Sequence, residues 1–258
     1  MYLSPSDIGD ALAWWLWPFL RISAFVSTVP VFGNRLVPMR VKLLIAIALT
    51  LVVAPLMPEP RPLVAIGGET VWRLAQQVLI GLTLGFAVRL ALMVLELLGQ
   101  MIAHLMGLGF AELIDPQNGV SVPGLSQFYI IAATLIFLSL DGHLVAVKLI
   151  VDSFSVLPIH GHALEINALW IVSGQIGWVF GAALQLALPG VVTLLIANMA
   201  FGVISRSAPQ LNIISIGFPM TLAIGFLVIW ITWTGFMSQA SGVFEQSIGV
   251  ASELMQAY

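Results

Sequence analysis

The segment YIIAATLIFLSLDGHLVAVKLIVDSF, residues 129–154, decides the class of this chain. It has the length and apolarity of a membrane helix, since about 20 apolar residues cross a hydrocarbon core about 30 Å thick. It also carries Asp141 and Lys148 in its middle. About 13 strongly apolar residues up to position 151, at roughly −0.3 to −0.6 kcal/mol each, contribute about −6 kcal/mol to insertion, whereas the two charges cost about +5 to +7 kcal/mol. The sum is near zero, so lipid alone does not hold this helix. Charges at such depth face a bundle interior or a watery path. The segment therefore reads as part of an all-α, membrane-associated protein that packs much of its surface against other protein.

The flanking sequence has the same character. Of 258 residues, 60% are hydrophobic and 8% charged, and the mean hydropathy is +1.05. Soluble domains carry about 25% charged residues, so there is too little charge here to solvate a surface. Apolar runs fall at 11–32, 41–57, 72–103, 125–151, 168–201 and 213–236, followed by a mixed tail from 237 to 258. GNRLVP, PEPRP, DPQNGVSVPG, LPIHGH and SAPQLN break them apart, as Pro and Gly clusters do. With no internal repeat or low-complexity tract, residues 1–258 read as one polytopic helical domain of long, kinked hairpins. The start, MYLSPSDIGD, has Asp7 and Asp10 and no basic residue, unlike a cleavable signal peptide, and is read as mature. Arg35, Arg40 and Lys42 cluster in the first connection, which puts that connection in the cytoplasm and the N-terminus outside. Arg21 lies within the first run, and Arg89 and Glu96 within the third, so three of the six runs are poor lipid-facing spans.

Catalytic constellations are not found. The absence of cysteine excludes disulfides, thiolate chemistry and cysteine-ligated metals. The nine Lys and Arg are scattered, which argues against nucleic acid. No HExxH, glycine-rich phosphate loop or nucleophile–base spacing occurs. His160 and His162, with Glu165 nearby, lie in a turn without a fourth ligand and read as solvated, so no metal or cofactor is expected. Glu96, Gln100 and His104 recur every four residues, with Arg89 seven before Glu96, so they share one helical face. That face lines a pore or proton path, or it is a contact stripe for neighbouring subunits, and the second reading is favoured. Asp141, Val145, Lys148 and Asp152 follow a 4-3-4 spacing that favours a structural Lys148–Asp152 pair. Gly81/Gly85 and Gly177/Gly181 have the small-xxx-small spacing of packed membrane helices, but at this glycine content about two such pairs arise by chance.

The stretch GLGFAELIDPQNGVSVPG, 107–124, is different. Gly107 and Gly109 weaken the preceding helix, Asp115-Pro116 stops it, Asn118-Gly119 makes a tight turn, and Pro123-Gly124 ends the irregular part. Yet Leu108, Phe110, Leu113 and Ile114 are apolar. Irregular backbone at membrane depth survives only where protein or a water-filled cavity surrounds it. The stretch either dips into headgroups or projects into a conduit and obstructs it, and the conduit is preferred. Between the last two runs, RSAPQLN combines Arg206, the helix-stopping Pro209 and the amides of Gln210 and Asn212, a composition suited to contacting a partner.

Four stretches carry a family resemblance: PFLRISAFVSTVPVFGNRLVPMRVKLLIAIAL (18–49), GLGFAELIDPQNGVSVP (107–123), SLDGHLVAVKLIVDSF (139–154) and ANMAFGVISRSAPQLNIISIGFPMTL (197–222). Over nearly its whole length the chain resembles the FliR family, the flagellar member of the inner-membrane export-gate proteins of type III secretion. The resemblance implies a non-enzymatic subunit, built of an N-terminal FliP-like and a C-terminal FliQ-like part. One copy would join several FliP-type and FliQ-type subunits in a closed helical assembly, beside FlhB and FlhA in the flagellar basal body. Rod, hook and filament proteins would pass through that assembly, much of which lies above the bilayer plane. The family's plug loop maps onto Gly107–Pro123, which makes Phe110 and Leu113 the gating side chains, although Glu112 is unusual in a sealing loop. Two other readings are a homologous injectisome subunit and a secondary transporter using Asp141, Lys148 or Glu96. The transporter predicts inverted repeats, and none is seen. In any such complex Arg21, Arg89, Glu96, Gln100, Asp141 and Lys148 are expected to find their partners in other subunits.

Overall fold

The computed structural model describes residues 5–34, 36–57, 67–109, 124–159, 166–207 and 213–256, with side chains from Trp14 onward except at 166–169 and 213–216. Among these residues there are seven α-helices and one 3-10 turn, and no strand. They are α1 (Pro5–Thr28), α2 (Met39–Val53) with its 3-10 extension (Ala54–Leu56), α3 (Gly68–Leu105), α4 (Gly124–Ser139), α5 (Gly142–Val156), α6 (Ile166–Ser207) and α7 (Ile213–Gln256). Four stretches are long and apolar enough to cross a membrane: Met39–Leu56, Gly68–Leu105, Trp170–Ser207 and Gly217–Gln256. The chain is an all-α membrane protein.

Helix ends follow the breakers, with two departures from the sequence reading. The run 125–151 is not continuous. Asp141 adopts the left-handed conformation (φ 55°, ψ 24°) and divides it into α4 and α5, its carbonyl accepting the amides of Leu144 and Val145. An Asp followed by Gly tolerates that backbone better than most residue pairs. The last helix does not stop with the apolar run at 236 either, because α7 runs on through the mixed tail and buries Ala240, Val243, Phe244, Ala251 and Leu254. Serine and glycine in that tail weaken helix propensity, and burial of its apolar face outweighs them. At about 1.5 Å per residue, α3, α6 and α7 measure about 57, 63 and 66 Å, roughly twice the about 30 Å hydrocarbon core.

The chain forms two compact units. The first comprises Met1–Leu90, Asp141–Gln175 and Phe244–Tyr258, and the second Ala91–Leu140 and Ile176–Val243. The first unit buries Trp17, Ile22, Phe25 and Val26 of α1, Leu84 and Val88 of α3, and Ile150 and Phe154 of α5. Its closest backbone approach lies at Gly81 and Gly85. A Cβ on Gly81 would fall 2.9 Å from that of Ala24, and one on Gly85 would fall 2.9 Å from the Phe25 carbonyl oxygen. This corrects the reading of that spacing as chance, since any larger residue there would push α3 off α1. Gly177 and Gly181 have nothing within 4 Å of where a Cβ would sit.

Arg21 is the centre of the first unit and is 0% exposed. Its Nε donates to Gln77 Oε1 at 2.8 Å, Nη1 to the Ser153 carbonyl at 2.9 Å, and Nη2 to the Leu157 carbonyl at 2.8 Å. Its guanidinium lies 4.3 Å from the centre of the Phe154 ring. The two carbonyls belong to the last turn of α5, where orphan acceptors and the negative end of the helix dipole favour a cation. The expectation that Arg21 needs another subunit is therefore corrected: α3 and α5 of the same chain supply its partners.

The second unit packs Leu95, Leu98 and Ile102 of α3, and Met106 just beyond its end, with Tyr129, Ala133 and Phe137 of α4, Leu194 of α6 and Val228 and Phe236 of α7. Gly99 lets α4 approach α3, where a Cβ would stand 2.8 Å from Ser126 Cα. Trp233 and Phe236 stack at 5.0 Å, and Tyr129 meets Phe236 edge-on at 5.3 Å.

Candidate functional site

The Gly107–Pro123 stretch begins on a built foundation. Gly107 has φ 81°, its amide donates to the His104 carbonyl, and the Leu108 amide donates to the Ala103 carbonyl, both at 3.0 Å. This pair of bonds around a left-handed glycine is the Schellman stop, which satisfies carbonyls the helix would otherwise orphan. The next carbonyls are capped by side chains. Asn198 of α6 donates to the Leu105 carbonyl at 3.0 Å, and Thr221 of α7 donates to the Met106 carbonyl at 3.4 Å. Met106 is fully buried against Gly225, where a Cβ would stand 2.5 Å from its sulfur. Gly109 crowds His104, with a Cβ position 3.1 Å from the imidazole Cδ2. On the far side, α4 starts at Gly124, and Leu125 and Ser126 are buried at once. Both ends of the stretch are thus held within the second unit by α3, α4, α6 and α7.

Phe110, Leu113, Ile114, Asp115, Pro116, Asn118 and Gly119 lie outside the described residues. So do Pro209, Gln210 and Asn212, and the loop residues His160, His162 and Glu165. Arg206 is described, exposed in the last turn of α6.

The membrane-run charges divide into buried and exposed. Arg21 alone of the named set is buried. Arg89, Asp141, Lys148 and Asp152 are exposed, and Glu96 and Gln100 are half-buried with a long contact of 3.5 Å between them. The Lys148–Asp152 pair is not formed. Among the described residues the ion pair within 4 Å joins Arg73 and Glu69. An exposed pair is worth about 0–1 kcal/mol, too little to hold two long side chains together. The sequence reading missed Gln77, Asn198 and Thr221, although a lone amide or hydroxyl inside an apolar run signals a buried acceptor elsewhere.

The family described as bacterial export proteins, family 1, matches residues 12–247. The chain is 40% identical to the flagellar biosynthetic protein FliR of Pectobacterium carotovorum subsp. carotovorum over 224 residues, 86% of this chain and 85% of that protein. It is 39% identical to the flagellar biosynthetic protein FliR of Escherichia coli (strain K12) over 83% of each chain. With the protein of that name from Bacillus subtilis (strain 168), identity is 27% over 97% of each. From this span and this likeness, the chain belongs to family 1 of the bacterial export proteins.

Proposed function

We propose that this chain is a non-enzymatic core subunit of the flagellar type III export gate, helping to form and to plug the conduit for rod, hook and filament proteins. The observation that carries the reading is the end-to-end likeness to flagellar FliR proteins, 40% identical over most of both chains. The flagellar name of these relatives favours the flagellum over an injectisome. FliP-type and FliQ-type subunits are the neighbours, FlhB and FlhA the adjoining parts, and the bacterial inner membrane the site, with the N-terminus in the periplasm. The N-terminal part is FliP-like and the C-terminal part FliQ-like.

Large uncovered surfaces support a place in an assembly. On α6, Gly177, Phe180, Gly181, Leu184, Gln185 and Leu188 are exposed together, a mixed face that suits helices of other subunits. Arg89, Glu96, Asp141 and Lys148 find their partners across such contacts, and Arg206 with Pro209, Gln210 and Asn212 meets a neighbouring subunit or FlhB.

The stretch from Gly107 to Pro123 is the plug. A conduit wide enough for an unfolded chain must not leak ions when idle, and apolar side chains block water by dewetting. Phe110 is the largest such group, followed by Leu113 and Ile114. The burial of Met106 and Ser126 at the two ends supports this role, because a plug needs fixed ends. Deleting residues 110–119 is expected to raise the ion conductance of cells while the complex still assembles, and Phe110→Ala to do so less. Wild-type conductance from an assembled deletion complex rules out the plug.

A further inference from the structure

The stretch Met39–Leu56 differs from the other span-length helices in what it exposes. Only 22% of it is buried. Ala46, Thr50 and Val53 make one narrow stripe toward the rest of the first unit. The Thr50 hydroxyl, the only one in the stretch, donates to the Ala46 carbonyl at 2.6 Å. The far end is fixed by Trp14, whose indole donates to the Ala54 carbonyl at 2.9 Å. Everything turned outward between Leu43 and Val52 is aliphatic: Leu43, Leu44, Ile47, Ala48, Leu51 and Val52.

Two further features say what covers this face. Membrane helices approach one another through small residues and polar side chains; this face has no glycine and no polar group, and a single small residue, Ala48. Its five branched aliphatic groups, Leu43, Leu44, Ile47, Leu51 and Val52, match fluid acyl chains instead. The length fits as well: 18 residues at about 1.5 Å give about 27 Å, close to the hydrocarbon thickness of about 30 Å. The described charges of the stretch, Arg40 and Lys42, sit together at its start. Arg40 is exposed, and Lys42 Nζ donates to the Gly33 carbonyl at 3.0 Å. A first helical turn favours anions over cations, so the exposed Arg40 guanidinium gains from negative charge outside the chain, whereas Lys42 already has the Gly33 carbonyl. We infer that α2 is a lipid-contacting helix, its Leu43–Val52 face lying among the acyl chains of anionic phospholipids whose headgroups meet Arg40. Neither a plug nor any neighbouring subunit enters into this assignment.

The chain has no cysteine, so single nitroxide labels at Leu44→Cys and Val52→Cys need no other change. With the protein in its native complex, in bilayers of phosphatidylcholine and phosphatidylglycerol, dissolved oxygen is expected to relax both labels far more than a water-soluble nickel chelate. Labels reached by neither relaxant mean that protein covers the face, and labels reached mainly by nickel mean water. Either result overturns the assignment. Arg40→Gln is expected to lower the ratio of phosphatidylglycerol to phosphatidylcholine kept by the purified complex about fivefold, the effect of ~1 kcal/mol per basic residue near an anionic surface. Arg40→Lys is expected to keep the wild-type ratio. An unchanged ratio in Arg40→Gln overturns the headgroup contact, while the label results, obtained with Arg40 intact, test the acyl-chain contact separately.

Discussion

Helices α2 and α6 are both apolar, both of spanning length, and both left mostly bare by their own chain, yet their bare faces are opposite in kind. α2 exposes an unbroken aliphatic face, and α6 exposes Gly177 and Gly181 with Gln185 and Thr193 among its leucines and valines. The two are equally apolar on average. What separates them is texture. A smooth aliphatic face is satisfied by lipid, whereas notches and hydrogen-bonding groups are satisfied by another helix. Hydropathy alone therefore does not distinguish a face suited to lipid from one suited to another helix.

The sharpest way to break this comparison is to fill the notches. Gly177→Leu with Gly181→Leu meets nothing within the chain, so the fold is expected to survive. Recovery of FliP-type subunits on purification is expected to fall at least about tenfold, or ~1.4 kcal/mol. The matched change on α2, Ala48→Leu, is expected to leave recovery unaltered, and equal recovery from both variants would erase the distinction. Arg206→Ala with Gln210→Ala is expected to give a smaller loss in the same assay.

Charges provide a second, internal version of the comparison. Arg21→Ala leaves Gln77 and two helix-end carbonyls without their donor, and is expected to destabilise the chain by about 3–5 kcal/mol even without its neighbours. Arg89→Ala, at an exposed position, is expected to change the isolated chain by no more than about 0.5 kcal/mol. Thermal aggregation in detergent reads both, and similar midpoints would contradict the separation into buried and exposed charges. Smaller still, Asn198→Ala removes the cap on the Leu105 carbonyl, worth about 1 kcal/mol. A looser plug base is expected to give a conductance increase below that of the 110–119 deletion, measured in the same cells.

Much of the architecture was legible in the sequence, because apolar runs and proline–glycine breakers act locally. The helix count near GNRLVP and PEPRP followed directly. Pairing did not. Gly81/Gly85 and Gly177/Gly181 share one spacing, but the first pair is pressed against α1 and the second is open. No local rule distinguishes them, since the deciding neighbour lies about 60 residues away in one case. Arg21 was legible as a misplaced charge, but its acceptors stand 56 to 136 residues along the chain. The break at Asp141 depends on one residue in the left-handed region, which an Asp-Gly pair permits without demanding it. At the candidate plug, the glycines and the apolar loop were readable, whereas its anchors, Met106 just past α3, Asn198 of α6, and Thr221 and Gly225 of α7, appear only in the folded chain.

The export-gate reading is tested most directly by weighing the assembly intact. The chain is to be expressed with the FliP-type and FliQ-type subunits of the same cell, extracted gently and measured by native mass spectrometry. The expected result is one closed hetero-oligomer containing a single copy of this chain and several copies of each neighbour, while the chain expressed by itself has low thermal stability in the same detergent. A monodisperse, thermally robust solitary chain that never appears in a heavier complex would contradict it.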